Sequence, residues 1–143
     1  MSSATAPHLR LEDQVCFALY SAARAAQQAY RPLLDELGLT YPQYLVLLVL
    51  WEQDGATVRA LGERLHLDSG TLSPLLRRLE AHGFITRERA DVDSRRVIVR
   101  LTEAGEALRA RAGDVQQCLL ESVALDPEDL LRLRELSRRF IGA

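Results

Sequence analysis

The chain has no lysine, and all 18 of its basic residues are arginine. That preference carries no functional reading, but other scarcities exclude more. Only two cysteines, Cys16 and Cys118, stand in 143 residues. They are too few and too widely separated for the disulfide framework of a small secreted domain. The longest apolar run, residues 44–51, falls far short of the roughly 20 residues that cross a bilayer. Residues 1–10 lack the apolar stretch of a secretory signal. A cytoplasmic chain with no membrane partner is therefore expected. His8, His66 and His82 show no metal-ligand spacing with each other or with the cysteines. Cys-x-x-Cys, a glycine-rich phosphate loop and a nucleophile elbow are all missing. No metal, no cofactor and no enzymatic centre are expected.

What is present is a globular composition, 48% hydrophobic and 27% charged, enough for one domain over residues 1–143 with a real core. The net charge of −2 hides an asymmetry: residues 57–101 hold nine arginines against six acids, and the segments on either side are net acidic. A basic excess on one segment is a weak sign of a phosphate-bearing partner, because contact needs clustered charge.

Residues 9–30 are rich in Ala and Leu without Gly or Pro and predict a long helix. A short second helix with Pro32 in its first turn is expected to end at Gly38. Thr40 caps a third helix with Pro42 in its first turn, apolar nearly all round and hence buried. Thr57 caps a fourth with Val58, Leu61 and Leu65 facing inward. After a tight turn at 66–68, Leu72, Leu75, Leu76 and Leu79 mark a fifth helix. Its regular part is expected from Gly70 or Thr71, because Pro74 is costly deeper inside a helix. Two strand-like runs, 84–89 and 97–101, follow around a charged loop. Thr102 then caps a helix running through Leu108, Val115, Leu119 and Val123, and Asp126-Pro127 opens a last one to about Phe140.

Helix, tight turn, helix, hairpin is a winged helix-turn-helix, whose second helix enters a major groove. The expected fold is mainly α with a small β-hairpin wing. Residues 41–101 form the DNA-binding region, and 9–40 and 102–143 form dimerisation helices. Those terminal helices carry more apolar surface than so small a module can cover, so they should pack on a second subunit. A twofold dimer presents two recognition helices to a palindrome.

Opposite the leucine stripe of the fifth helix lie Gly70, Ser73, Pro74 and Arg77, with Arg78 at its edge. Small residues permit close approach to DNA, and the arginines reach bases or phosphates. At the wing, Arg95 and Arg96 are placed to clamp phosphates or enter a minor groove, with Asp93 orienting Arg95. A solvated polar helix face and a soluble charged loop tip are the plainer readings.

Cys16 falls near a helix start, where a thiol is partly ionised, but Glu12 and Asp13 oppose that ionisation. Most free cysteines on amphipathic helices are core packing, and the sequence leaves the balance open. The same plain reading holds for Cys118. Its functional reading is a resolving thiol for a sulfenic acid. Tyr30, Tyr41 and Tyr44 read equally well as core aromatics.

At these residues a resemblance enters. Asp68-Ser69-Gly70-Thr71-Leu72-Ser73-Pro74-Leu75-Leu76-Arg77-Arg78-Leu79-Glu80, the wing Asp91-Val92-Asp93-Ser94-Arg95-Arg96 and Leu101-Thr102-Glu103-Ala104-Gly105 resemble the MarR family of winged helix-turn-helix regulators. A narrower pattern is similar to the organic hydroperoxide resistance repressors (OhrR) within it: Gln14-Val15-Cys16-Phe17-Ala18-Leu19-Tyr20, Tyr30-Arg31-Pro32-Leu33-Leu34 and Leu39-Thr40-Tyr41-Pro42-Gln43-Tyr44. The resemblance implies a homodimeric repressor on double-stranded palindromic DNA that responds to an organic hydroperoxide. It implies that Cys16 senses the peroxide and that Tyr30 and Tyr41 donate hydrogen bonds to its thiolate. It also implies that Ser69, Gly70 and Thr71 join the DNA face, that Asp93 and Arg95 reach DNA, and that Cys118 bonds to Cys16 of the other subunit. Two alternatives stand beside it: a repressor released by a small aromatic ligand with passive cysteines, and a thiol peroxidase.

Overall fold

The computed structural model describes residues 9–92 and 95–142. A single turn of 3-10 helix at Leu11–Asp13 precedes α1, Val15–Leu37. The expectation of two helices, 9–30 and a short one after it, is corrected here. α1 is continuous through Pro32 and starts six residues later. Proline removes one intrahelical bond, the one to the carbonyl of Gln28. Both residues are exposed, so water meets the orphaned carbonyl and the helix continues. Gly38, at φ 72°, takes the left-handed conformation that ends α1.

α2 (Tyr41–Glu52) starts with a capping box: Thr40 accepts from the Gln43 backbone N–H, and the Gln43 side chain accepts from that of Thr40. Its all-round apolar sequence fits its place at the centre of the core, with Val46, Leu47 and Leu50 almost wholly buried. Strand β1 (Ala56–Thr57), α3 (Val58–Leu65), α4 (Ser69–Ala81) and strands β2 (Ile85–Arg89) and β3 (Val97–Leu101) follow. The hairpin is not alone, as the sequence pattern had it. β1 adds a third antiparallel strand, giving the order β1-β3-β2 with Ala56 opposite Val99 and Ile85 opposite Leu101. Two residues carry no alternation, so β1 leaves no periodic signal.

The helix expected after Thr102 breaks at Leu108 into α5 (Glu103–Ala107) and α6 (Arg109–Ser122), and Val123 lies beyond its end. Packing is close at Gly105, where a Cβ would run into the Phe84 carbonyl. The Gly105 carbonyl in turn accepts the Trp51 indole N–H at 3.0 Å. α5 is thereby pinned to α2 and the wing's root. α6 then leaves along α1, where it buries Val115. α7 (Pro127–Ile141), capped by Asp126 on the Asp129 N–H, buries none of its residues.

Candidate nucleic-acid interface and thiol site

The turn between α3 and α4 is set by sterics. A Cβ on Gly62 would stand 2.8 Å from the Leu67 carbonyl oxygen, so only glycine lets the turn close on α3. His66 completes that turn at φ 56°, a left-handed conformation rare outside glycine. Asp68 then accepts the Thr71 N–H at 2.7 Å, and this hydrogen bond holds its carboxyl below the usual range. Ser69 is consequently the first residue of α4. The helix begins ahead of the expected Gly70 or Thr71, and Pro74 lies in its second turn.

Leu72, Leu76 and Leu79 go into the core, which turns Ser69, Gly70, Thr71, Ser73, Arg77 and Arg78 outward. Pro74 is half-buried, a correction to its expected place on the outer face. Arg95 and Arg96 are exposed at the wing; Asp93 lies outside the described residues. Between α3, the start of α4 and the wing runs a groove of about 1040 Å³, on whose walls Ser69, Ser73, Arg87, Arg95 and Arg96 converge.

Arg87 was not singled out from sequence. Its backbone N–H and guanidinium both donate to Glu80 at 3.1 Å. The hydrogen bond from the Arg87 side chain and its charge hold the Glu80 carboxyl low. Arg87 Nε is buried without a partner among the described residues. The available signal was the strand period, which puts Arg87 on the face of buried Ile85 and so against α4.

The thiol residues occupy two places. Cys16 is the second residue of α1 and is exposed. Tyr30 stacks on Tyr41 with centroids 5.2 Å apart, Tyr44 lies 6.0 and 6.3 Å from the two, and Trp51 closes the cluster 6.2 Å from Tyr44. Burial, aided by the neighbouring phenols, pushes Tyr30 up to about 12, and burial raises Tyr41 and Tyr44 as well. All three stay neutral and able to donate at neutral pH. Cys118 is half-buried on α6, with Sγ 3.7 Å from the carbonyl oxygen of Ala29, next to Tyr30. Cys16 and Tyr30 are fourteen positions apart on the helix, about 21 Å at 1.5 Å per residue. Within one chain Tyr30 and Tyr41 stack, Cys118 lies against the α1 backbone at Ala29, and Cys16 stands about 21 Å from Tyr30.

Both ends of the chain carry bare apolar surface. Leu9, Leu11, Val15 and Phe17 are exposed at one end, and Leu131, Leu136, Phe140 and Ile141 along α7.

A three-stranded wing beside a helix-turn-helix, carried on long terminal helices, defines a winged helix-turn-helix protein. The family model of the transcriptional regulators SarA/Rot matches residues 28–111. The organic hydroperoxide resistance transcriptional regulator of Bacillus subtilis (strain 168) is 48% identical over 127 residues, 89% of this chain and 86% of that protein. Among solved structures, AbfR, known from Staphylococcus epidermidis, is similar in two states. Reduced AbfR bound to DNA superposes with TM-score 0.77 at 37% identity over 93% of both chains. The disulfide-formed protein gives 0.67 at 36% over 92% of this chain and 93% of that one. The chain belongs to the MarR family of winged helix-turn-helix transcriptional regulators, in its organic hydroperoxide resistance group.

Proposed function

We propose that this chain is a homodimeric, cytoplasmic repressor that holds a palindromic double-stranded DNA operator while Cys16 is reduced and releases it when an organic hydroperoxide oxidises that thiol. The separation within one chain carries the reading: Tyr30 stacks on Tyr41, Cys118 lies against the Ala29 carbonyl, and Cys16 stands about 21 Å from Tyr30 along the same helix. A site made of all four residues is complete only when a second copy supplies its Cys16. The bare apolar surfaces of residues 9–17 and α7 are what a second copy would cover.

The chemistry is balanced within that site. The Cys16 thiolate, hydrogen-bonded by the neutral phenols of Tyr30 and Tyr41, attacks the outer peroxide oxygen. An S–O bond forms, the O–O bond breaks, and the alkoxide takes a proton to leave as an alcohol. Sulfur has lost two electrons and is a sulfenic acid. The Cys118 thiol then displaces its hydroxyl as water, and an intersubunit disulfide remains. Low-polarity residues beside Cys16 (Val15, Phe17, Leu19) suit an organic peroxide better than hydrogen peroxide.

DNA release follows from geometry. In this reading Ser69, Gly70, Thr71, Ser73, Arg77 and Arg78 meet the major groove, with Pro74 at its margin, and Arg95, Arg96 and Asp93 work at the wing. Each good bidentate base contact is worth about 1–3 kcal/mol. A disulfide that pulls α1 toward the partner's α6 moves both modules off register and forfeits several contacts together. In AbfR a reduced DNA-bound form and a disulfide form have both been seen, which supports such a cycle.

The test is a gel-shift on operator DNA with the reduced protein, repeated after cumene hydroperoxide and read beside a non-reducing gel. Release with a dimer-sized band is expected. The Cys16→Ser protein should bind and stay bound, and its release by peroxide would overturn the reading.

A further inference from the structure

The chain passes from α4 into β2 through a short turn at residues 82–84, with Gly83 at φ 82°. A covalent turn by itself is a pivot. β2 is the outer strand of the sheet, in the order β1-β3-β2, so one of its edges has no strand beside it. The Arg87 N–H is turned to that free edge, and Glu80, in the last turn of α4, accepts it at 3.1 Å. The same carboxylate holds the Arg87 guanidinium. Two attachments a few residues apart, the turn and this pair, fix a direction where one would leave a hinge.

The joint is set apart from the chain's more exposed ion pairs. Both side chains are more than half covered, so water screens them less than it screens Arg59 with Glu63 or Arg132 with Glu128. Arg87 Nε is buried without a partner, the one such side-chain atom among the described residues, and an unsatisfied donor costs free energy. Arg87 is also the last half-buried residue of β2; Glu88 and Arg89 beyond it are exposed.

From there the wing projects as a lever. Arg89 pairs with Val97, and the Ala90 N–H donates to the Arg96 carbonyl at 3.0 Å. Arg96 thus stands three positions from Val99, the partner of Arg87, about 10 Å at 3.3 Å per residue. A tilt of about 10° at the pair moves Arg96 by about 2 Å, more than a hydrogen bond tolerates.

Resting on the reading that the wing arginines meet DNA, we propose that Glu80 and Arg87 are positioning residues for DNA binding: their pairing sets the tilt of the wing against α4. It thereby sets the share of DNA affinity that Arg95 and Arg96 contribute. Glu80 acts without touching DNA.

The experiment measures binding to a fluorescein-labelled duplex that wild type has selected from a random-sequence pool, by anisotropy over a range of salt. Reduced full-length wild type is compared with Glu80→Ala, with Arg95→Gln/Arg96→Gln and with the protein carrying all of these changes. Glu80→Ala should weaken binding about fivefold and flatten the dependence of log affinity on log salt, as lost phosphate contacts do. Charge alone predicts the opposite sign, since removing an acid strengthens attraction to DNA. In the Arg95→Gln/Arg96→Gln background the same change should cost less than about 1.5-fold.

An equal cost in both backgrounds would show a general loosening of the fold and overturn the inference. Tighter or unchanged binding by Glu80→Ala would overturn it too. Circular dichroism checks folding at the assay temperature. Glu80→Gln, which keeps an acceptor for the Arg87 N–H, repeats the comparison if the alanine variant does not fold. Should Arg95→Gln/Arg96→Gln bind as wild type does, with the same salt dependence, the wing reading itself falls, whatever Glu80 does.

Discussion

Glu80 on α4 and Arg87 on β2 form a two-point clamp: the carboxylate accepts the Arg87 backbone N–H and its guanidinium, each at 3.1 Å. The recognition helix and the root of the wing are thereby held as one piece. A wing's position relative to its helix decides whether both reach the same DNA, so the clamp connects a local hydrogen bond to groove geometry.

Glu80→Gln should destabilise the chain by about 0.5–1 kcal/mol at pH 7, the scale of a partly exposed ion pair. Because Arg87 holds the Glu80 carboxyl low, the stabilisation is complete above the ordinary carboxylate range and is lost as pH falls through the lowered value. Urea midpoints of wild type and variant should therefore converge on acidification from pH 7 toward pH 3. Parallel curves would show that the clamp contributes nothing ionic.

Tyr30 gives the opposite sign. Its hydroxyl ordinarily titrates at 10.0 and is raised to about 12 in the fold, so the folded state keeps a proton that the unfolded chain loses. Stability from this group is intact below pH 10 and disappears as pH climbs toward 12. Wild type should lose stability relative to Tyr30→Phe across that interval, measured by urea unfolding. In the proposed redox cycle, Tyr30→Phe and Tyr41→Phe should each slow Cys16 oxidation, because each would remove a proposed donor to the thiolate.

Gly105→Ala tests the joint between α5, α2 and the wing. The added methyl would meet the Phe84 carbonyl, and relieving that clash also disturbs the bond from the Trp51 indole to the Gly105 carbonyl. A loss of about 1–3 kcal/mol is expected, with a shift in the emission of Trp51, the chain's single tryptophan. Unchanged stability and emission would show that the joint yields easily.

Leu136→Asp and Phe140→Asp on α7 should each weaken self-association about tenfold or more, since burying one such side chain contributes about 1.5–3 kcal/mol. Sedimentation at micromolar concentrations measures this. Both residues are exposed in the single chain, so folding of the winged module should be untouched; a dimer as tight as wild type would place the interface elsewhere.

Much of the architecture was legible because its signals are short-range. The caps Thr40, Thr57 and Thr102 precede their helices as read, and the leucines at 72, 76 and 79 alone define which side of α4 faces outward. Strands 85–89 and 97–101 fall almost where alternation puts them. Misreadings arose where local preference met packing. Pro32 would end an isolated helix, yet α1 continues because Tyr30, Leu34 and Leu37 bury on one side and the proline faces water on the other. The helix after Thr102 is interrupted at Leu108, where propensity would continue it.

The amino-acid order alone determined the class of the protein: helical periods, caps and turn residues act over a few positions, and a motif of thirteen residues around α4 needs no distant partner to be read. Only the tertiary structure decided which residues meet. It placed Cys118 beside Ala29 across 89 positions and joined Arg87 to Glu80. It also held Cys16 a helix length from the phenols, since a helix of 23 residues is a rod whose ends cannot touch and distances across the fold are set by packing.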